Sequence, residues 1–231
     1  MPFWIIRPLA WVLLQLAYRY YGGIRFEGRE NVPRRGGVLI TPNHISNADP
    51  PAIGLAVPRG CYFMANETLF QRPILGALMR WLHGFPVKTN APDRAALRRA
   101  EELLKHNEAV VVFPEGTHSM DGNLQPMQPG VLMLAQRAGV SIVPTIIEGT
   151  DSLIPYGEEK PRRTGRPVVV RFGKPVTVAE LMGAARGGEA LRAGAVRLYE
   201  LMLAVKEKRP YPPLESHTEA ERETLTVSAT N

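Results

Sequence analysis

The chain alternates short apolar segments with longer amphipathic ones. Ile24 to Glu27, Gly37 to Thr41, Tyr62 to Met64, Ala109 to Phe113, Ser141 to Ile147 and Val168 to Phe172 predict strands. Gly37 to Thr41 carries an unbroken apolar run, the pattern of a strand covered on both faces. Pro144 is expected to interrupt the strand at 141–147, because it brings no N–H to a ladder. Helices are expected at Pro50 to Val57, Pro73 to Leu82, Ala91 to Asn107, Pro129 to Ala138 and Leu191 to Lys206, with a short extended piece at Phe85-Pro86-Val87. The segment 91–107 is the clearest: Pro92 and Asp93 open it, Leu97, Leu103 and Leu104 share a face, and charges occupy the others. Gly157 to Arg166 reads as a basic loop. Strands alternating with helices predict an α/β fold: a single domain with a mostly central sheet flanked by helices.

The two ends differ from this pattern. Residues 3–21 read FWIIRPLAWVLLQLAYRYY, with only eleven residues between Arg7 and Arg19. A spanning helix needs about 20 apolar residues. Trp4, Trp11, Tyr18, Tyr20 and Tyr21 bracket the aliphatic positions, as aromatic side chains do at a membrane boundary. A helix lying in one leaflet is the expectation, with packing on the domain's own core as an even alternative. No basic stretch precedes the apolar run, which disfavours a cleaved signal peptide. From Pro210 onward prolines, glutamates and threonines replace apolar periodicity, which predicts disorder. The expected organisation is a membrane-interfacial helical segment at 1–23, a domain at 24–209 and a disordered tail at 210–231.

Composition narrows the partners. A chain of 231 residues can bury one good core. Its 28 basic and 22 acidic residues give a net charge of +6, and residues 1–60 hold seven basic against three acidic. That balance suits an anionic membrane leaflet. With 7% aromatic residues and no basic-aromatic motif, nucleic acid is not an expected partner. The one cysteine, Cys61, excludes an internal disulfide, fits a reducing compartment and reads as a buried small hydrophobe.

Two polar corners carry the candidate chemistry. Asn43-His44-Ile45-Ser46-Asn47-Ala48-Asp49 follows the apolar run at 37–41. His44 and Asp49 are five apart, a poor match to a shared helix face, so they meet only if the corner folds back on itself. A carboxylate holding one ring N–H would leave the other nitrogen as a general base. Alternatively Asp49, ahead of Pro50-Pro51, is a good helix N-cap and His44 a loop residue. The second corner is Phe113-Pro114-Glu115-Gly116-Thr117-His118-Ser119, at the end of a valine-rich strand, where α/β folds place ligands. A plain turn is the alternative there.

Together the corners resemble the glycerolipid acyltransferase family, and within it the 1-acyl-sn-glycerol-3-phosphate acyltransferases, which carry an N-H-x-x-x-x-D block and an F-P-E-G-T-R-S block. Phe85-Pro86-Val87, Gln128-Pro129-Gly130 and Ile142-Val143-Pro144 extend the resemblance over roughly residues 25–175. It implies acyl transfer from acyl-CoA or acyl carrier protein to a lysolipid hydroxyl, with lysophosphatidic acid the family's commonest acceptor. His44 would be the base and Asp49 its orienting carboxylate; Glu115, Gly116, Thr117 and His118 would bind the acceptor. No metal, other cofactor or covalent acyl-enzyme is implied. The implied location is the cytoplasmic face of the cell membrane, peripheral or monotopic.

The departures concern phosphate binding. His118 stands where the family usually has arginine, and Thr89 where its second block usually ends in arginine, with Lys88 beside it. Asn66 and Gln128 stand where lysine is common. Neither histidine nor threonine reproduces the guanidinium fork. Lys88 would be a replacement point charge, and Arg162, Arg163 and Arg166 would help only if their loop folds over the site. A lysolipid lacking a phosphate monoester is therefore the second acceptor class. Outside the resemblance stand a metallohydrolase using His44, Asp49, Glu115 and His118, a serine hydrolase using Ser46 or Ser119, and a membrane-associated lipid-binding module without turnover.

Overall fold

In the computed structural model, residues 3–71, 73–81, 83–88, 93–158, 160–183 and 187–213 are described. The elements in order are α1 (Phe3–Tyr21), β1 (Ile24–Glu27), β2 (Val38–Pro42), α2 (Asp49–Ala56), β3 (Cys61–Asn66), α3 (Glu67–Gln71), α4 (Pro73–Trp81) and β4 (Gly84–Val87). There follow α5 (Arg94–Lys105), β5 (Ala109–Val111), α6 (Gly130–Ala138), β6 (Ser141–Glu148), α7 (Thr150–Leu153), β7 (Val168–Phe172), α8 (Val178–Met182) and α9 (Gly187–Glu207).

The strands form one seven-stranded sheet in the order β1-β7-β6-β2-β5-β3-β4. The five strands from β6 to β4 run parallel, and β7, with β1 alongside it, runs the opposite way. β2 is buried at every position, and its side chains divide between two cores. Val38 and Ile40 join Ala52, Ile53 and Ala56 of α2 on one face, which α1 extends through Leu14, Tyr18 and Tyr21. Leu39 joins Leu104 of α5, Leu132 of α6 and Leu198 and Leu201 of α9 on the other. The α/β architecture, with its sheet covered on both faces, is as expected.

Details depart from expectation for local reasons. β6 runs unbroken through Pro144, which pairs opposite Thr41 of β2. The Pro144 carbonyl accepts from Gly173 N–H at 2.8 Å, so its missing donor also faces β7, just beyond the last paired residues Thr145 and Phe172. The one bond it forgoes, to Gly173 O, falls at the end of the β6–β7 pairing, and the ladder to β2 on the other side is untouched. Helix α5 begins at Arg94, with Asp93 as an N-cap that accepts from Ala95 and Ala96, an arrangement worth about 1 kcal/mol. Cys61 is buried at the start of β3. Pro210 to Pro213 follow α9, and the Tyr211 hydroxyl donates to Lys174 O at 3.0 Å; the rest of the expected tail, 214–231, lies outside the described residues.

Candidate active site

β2 and β5 are neighbours at the middle of the sheet and end at the same edge, so the chain segments leaving them converge. Asn43 extends β2 by a rung made of side-chain atoms. Its Oδ1 accepts the Ile147 N–H at 2.6 Å and its Nδ2 donates to Ile147 O at 3.0 Å. The chain is thereby held to β6 one residue beyond the last strand pair before it turns.

Asp49 decides between the two readings of the first corner. It is the first residue of α2, and Ala48 caps the helix without a side-chain bond. The Asp49 carboxylate turns back over the loop instead. Its Oδ2 accepts from Ile45 N–H at 2.7 Å and Ser46 N–H at 2.8 Å, and lies 2.9 Å from His44 Nδ1. Asp49 is fully buried. Five residues thus wrap around one carboxylate, which brings the pair together despite the unfavourable spacing. With the Nδ1 proton directed at the carboxylate, the free lone pair of a neutral His44 lies on Nε2.

The second corner clamps the first. Ser119 N–H donates to His44 O at 2.8 Å, and Glu115 Oε1 accepts from His44 N–H at 3.2 Å. The His44 ring stacks on Phe113, with centroids 3.9 Å apart and planes at 18°, and on His118 at 3.6 Å and 32°. Two rings this close cannot share one face, so the imidazole is sandwiched. Glu115 is buried, and desolvation raises its carboxyl to about 8 even with the bond from His44; its Oε2 makes no hydrogen bond. His118 moves the other way, down to about 4, chiefly through burial and then through the neighbouring His44. Its Nε2 is buried without a hydrogen bond.

The remaining predicted positions scatter outward. Gly116 and Thr117 are exposed. Gly116 has φ +77°, and a Cβ there would meet only Gln128 Cγ at 3.5 Å, so backbone conformation is what selects glycine. Lys88 is exposed at the end of β4, and its N–H donates to Asp93 Oδ2 at 3.1 Å. β3 separates β4 from β5, so Lys88 is offset from the β5 line by about 10 Å, two strand spacings. Thr89 lies outside the described residues. Arg162 pairs with Glu158, and the Arg163 guanidinium lies 4.8 Å over the Tyr20 ring of α1. The basic loop thus packs toward the end of α1. The Ser46 hydroxyl donates to Ile154 O at 2.7 Å and that of Ser119 to Asp121 Oδ1 at 2.8 Å, which commits both protons away from His44. Among the described residues no cluster of three His, Cys, Asp or Glu side chains is placed to hold a metal ion.

Four contributors carry no chemical signature in the sequence: the Asn43 rung, the Phe113 stack, the Ser46 tether and Tyr18. The aromatic pattern of α1 grouped Tyr18 with the membrane-boundary residues. It is in fact 4% exposed, and its hydroxyl donates to Ala48 O at 2.7 Å. Tyr21 is also partly buried, whereas Trp11 and Tyr20 are exposed.

A parallel-centred sheet with a His–Asp pair at its carboxyl edge, clamped by a Phe-Pro-Glu-Gly-Thr corner, defines a class. The family model described as Acyltransferase matches residues 23–148, and the chain belongs to that family. It is 30% identical over 132 residues to the 1-acyl-sn-glycerol-3-phosphate acyltransferase of Bacillus subtilis (strain 168), covering 57% of this chain and 65% of that protein. It is 34% identical over 145 residues to the chloroplastic 1-acyl-sn-glycerol-3-phosphate acyltransferase LPAT1 of Arabidopsis thaliana, covering 62% of this chain and 40% of that one. The chain thus spans less than two thirds of the length of either relative. Among solved structures, the 1-acyl-sn-glycerophosphate (LPA) acyltransferase PlsC from Thermotoga maritima superposes with a TM-score of 0.67 at 31% identity, covering 86% of this chain and 77% of that one.

Proposed function

We propose that this chain is an enzyme that transfers a fatty acyl group from a thioester, acyl-CoA or acyl carrier protein, to the sn-2 hydroxyl of lysophosphatidic acid, giving phosphatidic acid. The observation that carries the reading is the 2.9 Å contact between His44 Nδ1 and a fully buried Asp49 carboxylate. Asp49 holds the ring and stabilises its charged form. His44 Nε2 takes the proton of the acceptor hydroxyl as its oxygen attacks the thioester carbonyl. A C–O bond forms, the tetrahedral intermediate collapses, the C–S bond breaks, and the imidazolium returns the proton to the departing thiolate. No cofactor beyond the thioester co-substrate takes part. Gly116, Thr117 and His118 line the acceptor side, Glu115 supports it from beneath, and Lys88 supplies a more distant positive charge. The names of the relatives point to the same acceptor.

The reaction is assigned to the cytoplasmic face of a membrane. Among the described residues no helix is long and apolar enough to cross a bilayer. α1 nevertheless exposes Trp11, Val12, Leu13, Leu16 and Tyr20, which suits a helix lying in the plane of one leaflet. The test is thiol release from acyl-CoA by the purified protein with lysophosphatidic acid. His44→Ala should lower turnover about 10²–10⁴-fold, the usual worth of a general base; unchanged turnover would remove the reading.

A second acceptor class is favoured by one observation. His118, where the family usually has arginine, is held neutral by its burial and by His44. A lysolipid without a phosphate monoester asks for no cation there. A panel of acceptors at equal thioester concentration separates the two, and faster turnover of a phosphate-free acceptor would replace lysophosphatidic acid as the substrate.

A further inference from the structure

α1 presents two different faces. Val12, Leu13, Leu16 and Tyr20 form an exposed apolar stripe at helical spacing, with Trp11 beside it. Leu14, Tyr18 and Tyr21 face the domain. The buried face does more than pack. The Tyr18 hydroxyl donates to the carbonyl of Ala48, the residue that caps α2 and immediately precedes Asp49. Burial, and then the charge of Asp49, raise the Tyr18 hydroxyl far above the ordinary tyrosine range, so it stays a donor at every working pH.

A second connection runs from the end of α1 to the same corner. Thr164 N–H donates to Tyr21 O at 2.9 Å, and Arg163 Nε donates to Tyr20 O at 3.3 Å. Upstream in that loop, Ile154 O accepts the Ser46 hydroxyl at 2.7 Å. The loop also carries exposed Lys160, Arg162, Arg163 and Arg166, and the Arg163 guanidinium lies over the ring of Tyr20 at the end of the apolar stripe. An apolar stripe with a basic loop packed at its end fits an anionic lipid surface.

Resting on the reading of the chain as a membrane-surface acyltransferase, we propose that Tyr18 is a positioning residue through which an anionic lipid surface, docked on α1, sets the His44–Asp49 corner. The helix that touches lipid on one side holds the Ala48 carbonyl on the other. Seating α1 narrows the motion of the 44–49 loop, and the loop's amides at Ile45 and Ser46 stay bonded to Asp49. Lipid binding then raises turnover even for an acceptor dissolved as single molecules.

The experiment uses the full chain, a short-chain acyl-CoA and a short-chain lysolipid below its micelle concentration. Turnover is compared with and without vesicles of equimolar phosphatidylcholine and phosphatidylglycerol. Tyr18→Phe keeps the ring and removes only the donor. The expected result is that Tyr18→Phe binds vesicles within about twofold of the wild type in co-sedimentation. Its vesicle stimulation should fall about three- to tenfold, as losing one buried hydrogen bond can shift an equilibrium. Unchanged stimulation overturns the proposal. So does a parallel loss of vesicle binding, which would make Tyr18 a mere seat for the helix. Hydrogen exchange at the Ile45 and Ser46 amides is read in the same samples. Vesicles should slow it in the wild type and not in Tyr18→Phe; equal slowing in both overturns the coupling. This readout needs no turnover. If the wild type transfers acyl groups to no acceptor, the acyltransferase reading fails, and exchange alone decides the coupling.

Discussion

The imidazole of His118 lies over the imidazole of His44, with ring centroids 3.6 Å apart and planes inclined by 32°. Only one of two rings so placed can readily carry a charge. His44 has the Asp49 carboxylate at 2.9 Å to stabilise its imidazolium, whereas His118 has a buried Nε2 without a hydrogen bond. On the proposed mechanism the proton taken from the acceptor belongs on His44, and His118 is the neutral face against which the imidazolium would form.

Acceptor choice is the first consequence. His118→Arg replaces a neutral ring with a permanent cation able to grip a phosphate in two-point fashion. Turnover of lysophosphatidic acid relative to a phosphate-free lysolipid should rise roughly tenfold or more, the scale of one charge-assisted hydrogen bond. Competition between the two acceptors in one reaction measures the ratio directly. An unchanged ratio would show that position 118 does not read the phosphate.

Asp49→Asn separates the structural and electrostatic duties of the carboxylate. An amide oxygen in the place of Oδ2 can still accept from Ile45, Ser46 and His44 Nδ1, but it carries no negative charge to stabilise the imidazolium. The ring then keeps its orientation and loses the charge that favours its protonated form. Turnover should fall on the order of 10³–10⁴-fold, as when a His-orienting carboxylate is neutralised elsewhere. The melting temperature should drop by only a few degrees. Collapse of the fold together with activity would instead assign Asp49 to loop structure alone.

Stability should depend on pH through Glu115 and His118, in opposite directions. Glu115 rises from an unfolded value of 4.5 to about 8 in the folded chain. The folded state then holds the extra proton, and stability falls as pH climbs through that window. His118 falls from 6.5 to about 4, so the unfolded state binds the extra proton and stability is lost as pH drops from 6.5. Between pH 4.5 and 6.5 the two slopes oppose each other; from 6.5 to 8 only the Glu115 slope remains. Melting curves of Glu115→Gln should therefore gain on the wild type as pH rises to 8 and level off above it. Those of His118→Asn should gain as pH falls toward 4. Parallel curves at all pH values would contradict both assignments.

What could be read before the fold was known follows from how far apart the interacting parts lie. Buried strands announce themselves locally, because a strand covered on both faces must be apolar throughout, as Val38 to Ile40 and Val110 to Val112 are. His44 and Asp49 could be offered as a pair because both are ionisable and sit together at a strand end. The sandwich of His44 between Phe113 and His118 was not legible, since it arises only where β2 and β5 lie side by side, some seventy residues apart in sequence. Glu115 illustrates the same gap. The motif suggested an acceptor ligand, while the fold directs one of its oxygens to the His44 backbone. Pro144 does not break β6 as its sequence suggests, because sequence does not reveal toward which neighbour a missing N–H points. Tyr18 was grouped by its aromatic ring, and its hydroxyl proved the informative part.

Asn43 provides a test of how tightly the corner must be held. Its amide satisfies both the N–H and the carbonyl of Ile147, in the buried interior between β2 and β6. Asn43→Ala leaves those two backbone groups without partners. Each orphaned buried group costs about 1–3 kcal/mol, so a stability loss of roughly 2–6 kcal/mol is expected. Asn43→Asp distinguishes stability from alignment. A carboxylate can accept the Ile147 N–H but repels the carbonyl, so one bond survives and the chain leaves β2 at an altered angle. Because Asn43 immediately precedes His44, the shift falls on the imidazole and not on the substrate contacts farther out. The turnover number should then fall while the Michaelis constant for the acceptor stays near its wild-type value, measured at a temperature where circular dichroism shows the variant folded. A rise in the Michaelis constant at constant turnover would place the effect of Asn43 on acceptor binding instead.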